Sequence, residues 1–144
     1  CLAPDEKQLT GDSNQDSMVL FLQYGETVTG LFTGDLEGQG EKQLLEKLSK
    51  EDRKEQQGSG RLDFLKVGHH GSKNASSIEF LKFFSPETAV ISVGENNRYG
   101  HPSPEVLQRL SEAGTQIYRT DQGGAITGSL KGGKMIWQTW LRQF

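Results

Sequence analysis

A single cysteine, Cys1, leaves this 144-residue chain without an internal disulfide framework and without a cysteine-built zinc site. One thiol does not decide between an oxidising and a reducing compartment. No apolar run approaches the roughly 18 residues that a membrane-crossing helix needs, and no signal-peptide pattern is present. Positive charge is also short: 16 Lys and Arg against 19 Asp and Glu give a net charge of −3. That balance excludes a general nucleic-acid glue acting through a basic patch. It leaves room for a nuclease, because bound divalent cations would supply the charge that phosphate needs. Hydrophobic residues make up 33%, below the usual globular share, so one modest core and a single domain over 1–144 are expected. Neither an internal repeat nor a low-complexity block interrupts it. Cys rather than Met at position 1 points to a piece of something longer.

Glycine is plentiful, at 18 residues, and marks frequent turns. Residues 1–16 are polar and read as a lead-in loop. The continuous apolar run in 17–24 predicts a strand buried on both faces, and 27–33 returns from it as a second strand. A helix is expected over 40–49, with Leu44, Leu45 and Leu48 on one face. The mixed charges and Gly-Ser-Gly of 50–61 predict a solvated helix end and a mobile loop. A strand follows at 62–68. Ser76 and Glu79 have the spacing of a capping box for a helix over 77–84. The run 88–94 reads as a third buried strand. Ser103-Pro104 opens a helix that turns Val106, Leu107, Leu110 and Ala113 inward and stops at Gly114. A strand at 116–120 and a hairpin of 124–130 with 134–140 across Gly132-Gly133 complete the order ββαβαβαβββ, an α/β or mixed α+β pattern. Trp137 and Trp140 lie three apart, on opposite sides of a strand, which suits packing better than base stacking.

The three histidines fall in two glycine-marked loops: "GHHGS" (68–72) holds two side by side, and "NNRYGHP" (96–102) holds the third. A third loop, "TGD" (33–35), places Asp35 between Gly34 and Gly38. All three follow predicted strands, where α/β folds carry their reactive residues. Asp and His are common donors to Zn, Mn or Fe. Each residue also has a plainer reading. Asp35 could be a helix N-cap, the His pair two surface imidazoles, and His101 a turn residue before Pro102. Spacing alone leaves a metal or phosphate site of unspecified type.

Taken together and in order, "DSNQDSMVLFLQYG", "LFTGDLEGQGEKQLL", "LDFLKVGHHGSKNASS" and "AVISVGENNRYGHPSPEVLQRLSEAGTQIYRTDQGGAIT" are far more specific. They resemble the C-terminal metallo-β-lactamase-like domain of ComEC-type DNA internalisation competence proteins, over roughly residues 12–130. TGD and HHGS recur in phosphorylcholine esterases and other hydrolases of that fold, whereas "NNRYGHPSPEVL" favours the competence family. The resemblance implies an αββα sandwich with two divalent metal ions, Mn or Zn, at one sheet edge. It implies that Asp35 bridges the metals, that His70 is a ligand, and that His69 meets phosphate or moves a proton. His101 would touch substrate phosphate, and Ser72, Lys73 and Asn97 are further candidates for that task. The implied role is hydrolysis of a phosphodiester, degrading the DNA strand that is not imported.

The family's main ligand motif, His-x-His-x-Asp-His or a close variant, is not in this chain, which has no histidine before His69. The resemblance therefore implies the C-terminal half of a sandwich, from a truncated or late-started reading of a longer protein. No tightly bound metal and no activity are expected of the isolated chain. Its implied partners are DNA, the remainder of the metallo-β-lactamase domain and an integral membrane channel domain. A homodimer would be another way to cover the exposed sheet. The parent would sit in a bacterial cell membrane with this domain extracytoplasmic, and the piece itself would be soluble. A catalytically dead binding domain, or another hydrolase such as a phosphocholine esterase or lactonase, is the alternative.

Overall fold

The computed structural model describes residues 1–4, 9–50 and 61–141. The chain runs through β1 (Leu20–Tyr24), β2 (Val28–Phe32), α1 (Gln39–Lys50), β3 (Phe64–Lys66), α2 (Ile78–Phe84), β4 (Thr88–Ile91), α3 (Pro104–Glu112), β5 (Gln116–Arg119), α4 (Thr120–Gly123), β6 (Ala125–Lys131) and β7 (Lys134–Trp140). Strands β1 to β5 form one sheet in chain order. β1 and β2 are an antiparallel hairpin, and β2 to β5 are parallel. Each parallel step needs a crossover, which α1, α2 and α3 supply. β6 and β7 pair separately across the Gly132-Gly133 turn. This is the expected mixed α/β class.

Strand alternation sorts the sheet into two faces. Leu31, Leu65 and Ala89 stand in register on one face, and all three are fully buried. Leu44 and Leu48 of α1, Phe80, Leu81 and Phe84 of α2, and Val106 and Leu110 of α3 belong to the same core. Burying a side chain such as Phe80 is worth about 1.5–3 kcal/mol. The other face carries Phe32, Lys66, Val90 and Tyr118 in one register row. Trp137 of β7 packs edge-on against Phe64 at 5.5 Å and lies 6.0 Å from Tyr118. Nearer β1, Leu20, Leu22 and Phe32 keep 42%, 42% and 39% of their surface exposed.

Several expectations are corrected. The first strand is not buried on both faces. Among the described residues it is a sheet edge, paired only with β2, and its apolar run has one uncovered side. The strand of 62–68 is shorter, Phe64–Lys66, although Leu62 and Val67 stay buried. Ser76 is not the cap of α2. Ser77 is, its Oγ accepting from the Phe80 N–H, while Ser76 takes a left-handed φ of 54°. Glu79 therefore stands at the second helical position and no capping box forms. Ala113 is an exposed C-cap rather than an inward residue. The Ser103 cap, Pro104 start and left-handed Gly114 are as expected. The lead-in is ordered where it approaches β1: the Leu2 N–H donates to the Val19 carbonyl and the Val19 N–H to that of Ala3. The loop expected over 50–61 lies outside the described residues except for its two ends.

Candidate functional site

β2, β3 and β4 are adjacent and parallel, so the loops after them open at one edge of the sheet. In the first, Thr33 is anchored by its Oγ1, which donates to the Lys66 carbonyl at 3.0 Å, and Leu36 plugs into the core. Gly34 has φ +52°, and the Asp35 N–H donates to Ser17 Oγ at 2.8 Å. The Asp35 side chain is exposed at this edge. Burial pushes the Lys66 ammonium below its ordinary pKa, and the charge of Asp35 opposes that.

The second loop is a tight 3-10 turn, Gly68–Gly71. His69 (φ 43°, ψ 45°) and His70 (φ 53°, ψ 21°) both take left-handed backbone, which costs an L-residue about 1–2 kcal/mol each. Three hydrogen bonds hold the turn in place. The His69 N–H donates to the Gly34 carbonyl at 3.0 Å, the Ser72 N–H to that of His69 at 2.9 Å, and the Ser103 N–H to that of Gly71 at 2.8 Å. The flanking glycines permit the fit. A Cβ on Gly68 would lie 2.7 Å from the Leu36 carbonyl oxygen, and one on Gly71 2.6 Å from Pro102 Cβ. Strain that is over-determined by its surroundings is a mark of a functional segment.

The two imidazoles are held differently. His70 Nδ1 lies 2.7 Å from the Ser92 carbonyl oxygen, so it must carry the proton, leaving the Nε2 lone pair to face outward. Metal-binding histidines are commonly oriented in this way. His70 also borders an open depression with Ser92, Val93, Gly94, Thr120 and Gly124. His69 Nδ1 lies 3.2 Å from Glu37 Oε2, which also accepts from Ser72 Oγ at 2.8 Å. The Asn14 amide nitrogen is 3.5 Å from the same His69 nitrogen. A carboxylate only accepts, and it is closer, so His69 Nδ1 donates to Glu37 and the Asn14 amide is left to Glu37 Oε1 at 3.4 Å.

The third loop is braced by Asn97. Its Nδ2 donates to the carbonyls of Gly94 (3.0 Å) and His101 (2.6 Å), and its Oδ1 accepts from the His101 N–H (2.9 Å). The His101 ring meets that of His69 edge-on at 5.7 Å. His101 Nδ1 is buried with no hydrogen-bond partner among the described residues. Burial first, then the neighbouring His69 and His70, push His101 toward its neutral form, with Glu37 opposing.

Among the described residues, no three His, Cys, Asp or Glu are gathered so as to hold a metal ion. Asp35 and His70 offer an oxygen and an oriented nitrogen, and the donor set stops short of the three or four protein ligands a zinc site uses. This chain's described residues therefore do not complete a metal centre.

No family model matches the chain. Three curated proteins do. ComE operon protein 3 of Bacillus subtilis is 40% identical over 124 residues, 86% of this chain and 14% of that protein. Competence protein ComA of Neisseria gonorrhoeae is 35% identical over 125 residues, covering 87% and 17%. Recombination protein 2 of Haemophilus influenzae is 30% identical over 118 residues, covering 82% and 14%. The chain is homologous to one segment of the ComEC-type competence proteins. It spans about a seventh of the length of the curated relatives it matches. No helix among the described residues is long and apolar enough to cross a membrane.

Within this ComEC-type segment, Asp35, the His69/His70 pair and His101 all come to the same sheet edge. Ser72 is buried and its hydroxyl is committed to Glu37. Asn97 uses its amide on its own loop. Lys73 is exposed, its charge acts on Glu105 of α3, and its carbonyl accepts from Arg109. Sequence reading missed Glu37, the residue that joins His69 to Ser72. Its only signal is its place two residues after Asp35 in "TGDLEG". It also missed Glu41 and Arg109, which hold the loop after HHGS from two helices. Glu41 accepts from the Ser76 and Ser77 N–H groups, and Arg109 donates to the carbonyls of Lys73, Ala75 and Ser76.

Proposed function

We propose that this chain is the phosphate-facing part of a metal-dependent phosphodiesterase or nuclease domain of metallo-β-lactamase type, within a DNA-uptake protein. The observation that carries this reading is the convergence of Asp35, His69, His70 and His101 on one edge of three parallel strands. One name among the relatives speaks of competence and one of recombination, which supports DNA as the material handled. Asp35 and outward Nε2 of His70 would be this chain's share of the metal ligands, Mn or Zn, with the others supplied by the rest of the parent. His101 would donate to a phosphate oxygen, and His69, aimed by Glu37 with its Nε2 lone pair free, is the group suited to take up or move a proton. The exposed apolar sheet face near β1 would meet the remainder of the sandwich. The domain would lie on the outer side of a bacterial cell membrane, beside a channel.

The incomplete donor set favours a second reading, a binding module that keeps the fold without the chemistry. Calorimetric titration with Mn²⁺ and Zn²⁺ separates the two, using this chain, the parent protein, and Asp35→Ala and His70→Ala variants of each. The enzyme reading expects tight binding by the parent alone, abolished by either substitution. A parent that binds neither ion leaves the binding module.

A further inference from the structure

Tyr99 is 81% exposed, more than any other large hydrophobic side chain described. It lies beside the histidine edge, not on a remote surface. Its ring stacks on His101 with centroids 6.0 Å apart and planes at 23°. Gly100, with φ +67°, makes the turn between them. Asn97 ties this loop to itself by three hydrogen bonds, so the phenol ring is pre-positioned. A ring so displayed, with one face toward His101 and the rest open to solvent, is a ready stacking platform. Arg98, next in the chain, is exposed, and its guanidinium is in no ion pair among the described residues.

We propose that the 97–101 loop is a nucleotide-binding arm for single-stranded nucleic acid. The Tyr99 ring stacks on the base flanking the phosphate held at the histidines, and Arg98 meets the next phosphate. This rests on the phosphodiester reading above and adds to it a reason for preferring a nucleic-acid strand over a small phosphate ester. Two features carry it. An aromatic face accepts any base, since every base has a π-face, and an unpaired cation beside it follows the backbone. The ring also touches His101, so base and phosphate would be engaged by neighbouring residues of one loop. A duplex keeps its bases stacked inside and offers Tyr99 nothing to cover.

The test is NMR titration of the 144-residue chain with a short single-stranded oligothymidylate and with an abasic strand of equal length. The thymidylate is expected to bind about five-fold or more tighter, with ring-current shifts on the Tyr99 protons. Tyr99→Ala is expected to erase that preference while leaving the abasic strand's affinity unchanged. Tyr99→Trp keeps the preference, and Arg98→Ala weakens both strands alike. Equal binding of the two strands, with shifts at His69 and His101, would overturn the arm and leave the phosphate reading standing. So would a base preference that survives Tyr99→Ala. If neither strand perturbs the histidine loops, the arm falls, and the phosphodiester reading is judged separately by the metal titration of the parent.

Discussion

At the scale of single residues, Glu37 decides how His69 is presented. Its carboxylate lies 3.2 Å from His69 Nδ1 and 2.8 Å from the Ser72 hydroxyl. Because that oxygen can only accept, the His69 proton belongs on Nδ1 and the lone pair on Nε2. Glu37→Ala is expected to raise the population of the Nε2–H tautomer, read from the imidazole ¹⁵N shifts of a long-range ¹H–¹⁵N spectrum. An unchanged tautomer would mean that the turn itself does the orienting. Gly71 shows the same economy in the backbone. Its φ is +84°, and a Cβ there would sit 2.6 Å from Pro102 Cβ. Left-handed backbone and forced overpacking together put the cost of Gly71→Ala at about 2 kcal/mol or more. A lower urea midpoint at unchanged slope is the expected result.

At the scale of elements, α1 and α3 grip the segment that leads from the His pair into α2. Glu41 of α1 takes two backbone N–H groups and Arg109 of α3 covers three carbonyls, so five polar backbone groups of the turn find side-chain partners. Burial raises the Glu41 pKa above its ordinary value of 4.5. This outweighs the Ser77 and Ser76 hydrogen bonds and the Arg109 charge, which act the other way. The folded chain therefore binds this proton more tightly than the unfolded chain does. The resulting stability is fully present below the unfolded value and is lost as pH rises through the raised folded value. Glu41→Gln removes that dependence. Urea midpoints of the two proteins should move apart in favour of the wild type as pH falls from 7 to 4.5. A difference independent of pH would mean that Glu41 titrates alike in both states. How much was legible in the sequence follows the same division. The Ser103-Pro104 start, the Gly114 stop and the closing hairpin are written in local chemistry and were readable. So was the convergence of the three loops, because parallel order follows from strands alternating with helices. Ser77 in place of Ser76, and the roles of Glu37, Glu41 and Arg109, depend on partners more than thirty residues away, and no local pattern announces them.

At the scale of the whole molecule, the sheet is dressed unequally. Three helices cover one face, and on the other the β6–β7 hairpin covers Phe64 and Tyr118 through Trp137. Among the described residues the β1–β2 side has no such cover. Leu20 and Phe32 are register partners across the hairpin, Leu22 lies two residues on, and each is roughly two-fifths exposed. Among the described residues β1 is also the sheet's edge, with no strand on its outer side. Contiguous apolar surface at an open edge drives association when nothing else covers it. The chain studied by itself is therefore expected to self-associate with rising concentration. Leu22→Glu, which places a charge in the middle of the patch, should shift sedimentation velocity profiles toward the monomer. The substitution leaves the helix-covered core untouched, because Leu22 points away from it, so the thermal transition should change little. A chain that is monomeric at all concentrations would show that β6–β7 and the lead-in suffice to shield this face. The parent would then not be needed to cover it.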